Sequence, residues 1–280
     1  MGMSILDNIV EEKRSAVSRA QHEVPQADLE KMSAARKEWR GFAAALEHPG
    51  VRLIAEIKRA SPSRGDIKPD LDPVETARAY AAGGAAALSV LTDKPFFKGS
   101  AEDLKQARKA TCLPVLRKDF IVTPYQVYET CAMGADAMLL IVRILDDETL
   151  CTLHKLALGL GLDVLTEVYD EQDAGRANRI GASLVGINNR NLADFQTDVC
   201  HAGRMASRLS PDVSLVALSG ISSADDIRRT LASGIRRFLV GEALVRDADP
   251  VALIRQWVSF SADTAYGGCA REIEAADGCG

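Results

Sequence analysis

A single closed (β/α)8 barrel, a TIM barrel, behind an N-terminal helical extension is the fold that this 280-residue chain predicts. From residue 51 onward, short apolar runs alternate with longer amphipathic stretches. Strands that alternate with helices make βαβ units, a parallel sheet and right-handed crossovers. Gly83, Gly134, Gly181 and Gly234 stand where amphipathic stretches must stop, the usual position of a helix-ending glycine. The length fits one closed barrel, which commonly takes about 250 residues. An open doubly wound sheet is the competing architecture and wants a glycine-rich dinucleotide fingerprint after its first strand. Residues 58–65 read KRASPSRG and carry no such fingerprint.

Residues 1–46 form the predicted extension. Ser4 can cap a first helix, in which Ile5, Leu6, Ile9, Val10 and Val17 make one apolar stripe. Glu11, Glu12, Lys13 and Arg14 are read as lying off that stripe. A second helical piece follows Pro25, over residues 27–36. Residues 47–260 form the barrel. Its strand runs are 51–57, 87–91, 114–116, 137–142, 163–166, 184–187, 213–218 and 237–240. The helical stretches between them include 73–82, 101–110, 124–133, 147–158, 224–232 and 250–258. The pattern is lost over residues 261–280, which read as a flexible tail.

Composition removes several function classes. Lys and Arg total 34 against 39 Asp and Glu, so the net charge is −5 and a nucleic-acid partner is not expected. The basic pairs Arg228-Arg229 and Arg236-Arg237 read as solvated helix surface. No apolar run approaches the roughly 20 residues that cross a bilayer. Charges from Asp7 onward interrupt any signal-peptide core, so a cytoplasmic enzyme without membrane partners is expected. Cys112, Cys131, Cys151, Cys200, Cys269 and Cys279 show no CxxC spacing and read as reduced, mostly buried side chains. Of these, Cys269 and Cys279 fall in the polar tail. His22, His48, His154 and His201 lack metal-ligand spacing, so no metal is expected.

The chemistry lies at the strand ends, where a barrel strand should stay apolar. The first strand ends Glu56-Ile57-Lys58, the third Arg117-Lys118-Asp119, the fifth Thr166-Glu167, and the sixth Asn188-Asn189-Arg190. Alternation puts Glu56 with Lys58, and Asn188 with Arg190, on common faces. Two Lys and two Glu converging with Asn188 and Ser219 describe a catalytic mouth; the alternative is a structural ion-pair cluster such as Glu56–Lys118. Ser219-Gly220 and Gly241-Glu242, after strands seven and eight, free backbone N–H groups where barrel enzymes commonly hold phosphate. Ser61 and Lys58 stand beside that cradle, and Glu242 is expected to turn its carboxylate away from the anion.

These segments are similar to a known family. Residues 54–63 (IAEIKRASPS), 116–121 (LRKDFI), 166–168 (TEV), 186–192 (GINNRNL) and 219–221 (SGI) resemble indole-3-glycerol-phosphate synthase, as do 89–93 (SVLTD) and 96–100 (FFKGS). The resemblance runs in order from about residue 5 to 258, as a single barrel with its extension would. It implies conversion of 1-(2-carboxyphenylamino)-1-deoxyribulose 5-phosphate to indole-3-glycerol phosphate, carbon dioxide and water, in tryptophan synthesis, with no metal or organic cofactor. It implies Lys118 as general acid, Lys58 as a second positive charge and Glu167 as general base, with Glu56 orienting Lys118. Asn188 and Ser219 would bind substrate hydroxyls or the anilino nitrogen, and Arg190 the aromatic carboxylate. Phe120, Leu139 and Leu239 would wall the aromatic ring, while Ser61, Gly220, Gly241 and Glu242 would hold the phosphate. The implied partner is a small phosphosugar; apart from the resemblance, a monomer is expected. One departure is Glu242, where some members carry a small hydroxyl residue. Two competitors stay open at this point: a phosphosugar isomerase such as phosphoribosylanthranilate isomerase, and a phosphate-binding barrel without catalysis. The isomerase would want a Cys/Asp or Asp/Asp acid–base pair, and no Cys occupies a strand end.

Overall fold

Eight parallel strands pair in chain order, and the eighth returns to the first to close the barrel. The structure is a computed structural model and describes residues 5–191 and 196–260. The strands are β1 (Arg52–Ile57), β2 (Ala87–Leu91), β3 (Val115–Lys118), β4 (Ala137–Ile141), β5 (Asp163–Val168), β6 (Leu184–Asn188), β7 (Ser214–Leu218) and β8 (Arg237–Val240). Ile54 of β1 is level with Leu239 of β8 on one side and Ala87 of β2 on the other. Period-two alternation sorts the core into two shells. Ile54, Leu116, Leu139, Leu165, Val216 and Leu239 fill the inside. Leu53, Leu88, Val115, Met138, Val185 and Phe238 face the surrounding helices.

The extension holds α1 (Ile5–Glu23), α2 (Gln26–Ala35) and α3 (Phe42–Glu47). The barrel carries α4 (Pro73–Gly83), α5 (Lys94–Phe97), α6 (Ala101–Ala110), α7 (Pro124–Ala132), α8 (Asp147–Gly159) and α9 (Glu171–Arg179). After these come α10 (His201–Met205), α11 (Ala224–Ala232), α12 (Glu242–Arg246) and α13 (Pro250–Val258). Several starts coincide with the sequence expectation because a side chain caps them. Asp72 accepts from the Val74 and Glu75 N–H groups at 2.7 and 3.0 Å, with Pro73 at the first helical position. Ser100, Asp146, Ser223 and Asp249 do the same for α6, α8, α11 and α13.

Several expectations are corrected. Gly83 remains inside α4, and Gly84 takes the left-handed stop at φ 94°. A side chain at Gly83 would put its Cβ 2.8 Å from the Ile254 Cβ, so Gly83 serves the close packing of α4 on α13. The strand read as 114–116 reaches Lys118, and that read as 163–166 reaches Val168. Lys13 is not off the apolar stripe: it follows Ile9 and precedes Val17 at four-residue spacing, and its side chain is only 11% exposed. Arg237 is not on a helix surface, because it starts β8 and pairs with Glu47 at 2.6 Å. Among the described cysteines Cys131 is buried, Cys151 and Cys200 are half-buried, and Cys112, in the turn before β3, is exposed. The capping role of Ser4 and the tail with Cys269 and Cys279 lie outside the described residues.

The extension passes beneath the barrel before β1. Phe42 and Leu46 of α3 are buried in the same cluster as Ile54, Leu116 and Leu239, and so plug the end where the strands begin. Asp163, at the start of β5, accepts from the Ala43 N–H at 2.8 Å and fixes that plug.

Candidate active site

The polar groups at the strand ends meet in one cavity of about 610 Å3 at the opposite end of the barrel from α3. Glu56 and Lys58 project from the same face at the end of β1, so they reach each other: Lys58 Nζ lies 3.0 Å from Glu56 Oε1. Lys118 closes β3, and its Nζ lies 4.0 Å from Glu167 Oε2 on β5. Asn188 of β6 donates from Nδ2 to Glu167 Oε1 at 2.9 Å and accepts at Oδ1 from the Arg190 N–H at 3.0 Å. Glu56, Glu167 and Asn188 are each 5% exposed, so their charges and dipoles act in a poorly solvated wall. Burial pushes the Glu56 carboxyl up, but Lys58 and Lys118 outweigh it and hold its pKa below the ordinary value. Glu56 therefore stays ionised. Its ion-pair contact is Lys58, two residues along the same strand face, and Lys118 adds to the positive field upon it.

On a second wall the chain after β7 turns through two consecutive left-handed residues, Ser219 at φ 64° and Gly220 at φ 79°. For Ser219 that conformation costs of order 1–3 kcal/mol, and such strain gathers at functional positions. Asn189 Nδ2 donates to the Ser219 carbonyl at 3.2 Å and holds the turn. Gly241 follows β8, where a Cβ would stand 2.5 Å from Glu56 Oε1 and 3.0 Å from Lys58 Nζ. A side chain there would push the Lys58–Glu56 pair out of its position. Glu242 turns its carboxylate to Arg246 at 3.1 Å and Arg64 at 3.5 Å. Ser61 lines the same cavity, and its buried Oγ has no hydrogen-bond partner among the described residues.

The third wall is apolar. Phe120, Leu139 and Leu239 line it, as read from the sequence, and Leu91, Phe97 and Ile141 extend it. The Phe97 and Phe120 ring centroids are 6.2 Å apart and tilted. Leu6 and Ile9 of α1 also line the cavity, so the extension contributes to it. Sequence reasoning missed α1 and Phe97 as site elements, since neither lies at a strand end. Arg190 spans the mouth, donating from Nη1 to Ser63 Oγ at 2.7 Å. Ser63 sits in the hairpin formed by residues 60–66. Every candidate residue named from the sequence lines this one cavity. No group of three or more His, Cys, Asp or Glu suited to a metal occurs among the described residues.

This arrangement sets an ammonium 4.0 Å from a carboxylate, a second ammonium, a glycine-containing turn and an apolar wall around one cavity. The family model described as indole-3-glycerol phosphate synthase matches residues 6–257. A protein named indole-3-glycerol phosphate synthase from Desulfosudis oleivorans is 55% identical over 256 residues, covering 90% of this chain and 97% of that protein. Proteins of the same name from Rhodopirellula baltica and Syntrophobacter fumaroxidans are 45% and 44% identical, over 88% and 89% of this chain and 96% and 95% of their own. Among solved structures, a thiamine phosphate pyrophosphorylase from Pyrococcus furiosus superposes with a TM-score of 0.55 at 20% identity, over 74% of this chain and 95% of that one. That likeness is one of fold.

Proposed function

The chain belongs to the indole-3-glycerol phosphate synthase family, carboxy-lyases of tryptophan biosynthesis, and we propose how its cavity carries out their reaction. The ring carbon that bears the substrate carboxylate must attack the ribulose carbonyl, so the carbonyl oxygen must take a proton. Lys118 gives that proton from Nζ as the carbon–carbon bond forms. Carbon dioxide leaves next, and its bonding electrons return to the ring. The new hydroxyl then takes a proton from Lys58 and departs as water, while Glu167 takes the proton whose loss completes the indole double bond. The 4.0 Å separation of Lys118 and Glu167 supports this division, because both reach one substrate.

Lys58, held by Glu56, supplies the second positive charge for the substrate carboxylate or phosphate. Asn188 holds Glu167 and, with Ser219, faces substrate hydroxyls or the anilino nitrogen. Arg190 meets the aromatic carboxylate, and Phe120, Leu139 and Leu239 flank the ring. Ser61, Gly220, Gly241 and the backbone of Glu242 hold the phosphate. In this reading the enzyme works as a cytoplasmic monomer without nucleic-acid or membrane partners. Among the described residues no helix is long and apolar enough to cross a membrane.

The observation that carries the proposal is the meeting of Lys118, Glu167 and Lys58, from three different strands, around one cavity. The test is product formation from the carboxyphenylamino substrate without added metal, followed by indole fluorescence. Lys118→Ala is expected to lower kcat on the order of 10³-fold with the fold intact, within the range that general acid catalysis supplies. Isomerase activity in place of indole formation, or normal turnover by Lys118→Ala, overturns the proposal.

A further inference from the structure

We propose that Lys13, on the extension helix α1 outside the barrel, is a positioning residue for the ring closure. It bridges Asp119, the residue after Lys118, and Asp93, the cap of the short helix that carries Phe97. The inference rests on the reading of Lys118 and the apolar wall given above.

Lys13 Nζ lies 2.6 Å from Asp93 Oδ2 and 2.7 Å from Asp119 Oδ1, and both carboxylates are almost completely buried. Asp119 uses all of its capacity. Oδ1 also accepts from the Phe120 N–H at 2.8 Å, and Oδ2 accepts from Thr92 Oγ1 at 2.5 Å and Arg117 Nη2 at 3.0 Å. Arg117 in turn meets Glu129 at 2.6 Å and donates to Thr130 Oγ1 at 3.0 Å. Lys118 is thus flanked on both sides by residues whose side chains are fixed from behind the sheet, and Lys13 closes that network. Its second arm acts on the wall. Asp93 Oδ1 accepts from the Phe96 N–H at 2.9 Å, and its carbonyl accepts from the Gly99 N–H at 2.9 Å, which sets α5 and with it Phe97.

Charge makes this more than a fastening. An apolar residue between Ile9 and Val17 would seat α1 without desolvating an ammonium, which is expensive. Burial pushes the Lys13 pKa down, but Asp119 and Asp93 outweigh it and raise the pKa above the ordinary lysine value. Without Lys13, buried Asp93 would stand uncompensated and Asp119 would keep only Arg117, beside a cavity that takes an anionic substrate and that Asp119 lines. Both consequences, a loosened wall and an unfavourable field, weaken use of the substrate rather than only the fold.

The experiment compares kcat and KM for wild type, Lys13→Met, Lys13→Arg and the double variant Lys13→Met with Asp93→Asn, each well below its Tm. Lys13→Met is expected to lower kcat/KM at least about tenfold, and Lys13→Arg to recover most of it. The double variant is expected to exceed Lys13→Met alone, because one uncompensated charge is gone. Where Lys13→Met does not fold, Lys13→Gln, which keeps hydrogen bonds without charge, is expected to show the same direction of loss. A lowered Tm with unchanged kcat/KM, or a double variant no better than the single one, overturns the role of Lys13. An inactive wild type overturns the ring-closure reading and this inference with it; an active wild type with equally active Lys13 variants overturns this inference alone.

Discussion

Lys118 stands between Arg117 and Asp119, which pair with each other at 3.0 Å, and the charge on Asp119 sets how firmly that frame is held. Burial pushes the Asp119 carboxyl up, but Arg117 and Lys13 outweigh it and lower its pKa from 3.8 to about 2. The folded protein therefore prefers the ionised form. The resulting stability is present above the unfolded value and is lost as pH falls from about 4 toward 2. Comparing wild type with Asp119→Asn by denaturant unfolding, the gap in stability is expected to narrow by about 1 kcal/mol between pH 5 and pH 3. A constant gap across that window contradicts the assignment of the stabilising charge to Asp119. At this scale Lys118, Glu167 and Asn188 are legible in the sequence because a polar residue closing an apolar strand is an anomaly that needs a use. Lys13 is not legible in the same way, since a lysine on a helix is ordinarily solvated. Its one signal is the four-residue spacing that sets it between Ile9 and Val17.

Helix starts in this chain are written by their caps, and their positions follow from sequence where a cap precedes a clear apolar stripe. Asp72 satisfies two N–H groups at the head of α4, and Pro73 presets the first turn. Asp72→Ala is expected to destabilise the protein by about 1 kcal/mol, read as a lower unfolding midpoint, while Asp72→Asn retains most of the stability. An Ala variant as stable as wild type would show that α4 is held by packing alone. Elements without the stripe are not legible, even where, as at Asp170 before α9, a cap is present. The sequence of α9, EQDAGRANR, carries a central Gly175, and its buried apolar residues are only Ala174 and Ala177, so the helical period is faint. The helix α3 spans six residues, too short for periodicity to register, although it plugs the barrel floor. The hairpin of residues 60–66 pairs two residues with two and has no alternation to read.

The whole molecule divides its labour between the two ends of the barrel. The groups proposed to act in the chemistry crowd the ends where strands finish, and the ends where strands begin are closed by the extension. The centre of the closed end is Asp136, which precedes β4 and is 2% exposed. Its Oδ1 accepts from Arg36 Nη2 at 2.7 Å, Arg108 Nη2 at 3.2 Å and the Arg40 N–H at 3.2 Å, and its Oδ2 accepts from the Val115 N–H at 3.0 Å. One carboxylate thus joins the strand pair β3–β4 to the linker between α2 and α3 and to α6. Removing it leaves two guanidinium groups near a buried site without their counter-charge, which typically costs about 3–5 kcal/mol. For a chain of this size each kcal/mol moves Tm by roughly 2–4 °C, so Asp136→Ala is expected to lower Tm by about 10 °C. Because none of these contacts lines the active cavity, kcat and KM at 25 °C are expected to stay within about twofold of wild type, far below the loss from removing a group that acts in the chemistry. Calorimetry and steady-state kinetics on the same preparation check both halves. A large fall in kcat with little change in Tm would mean that the floor of the barrel is coupled to its mouth, through the β3 strand that carries Lys118.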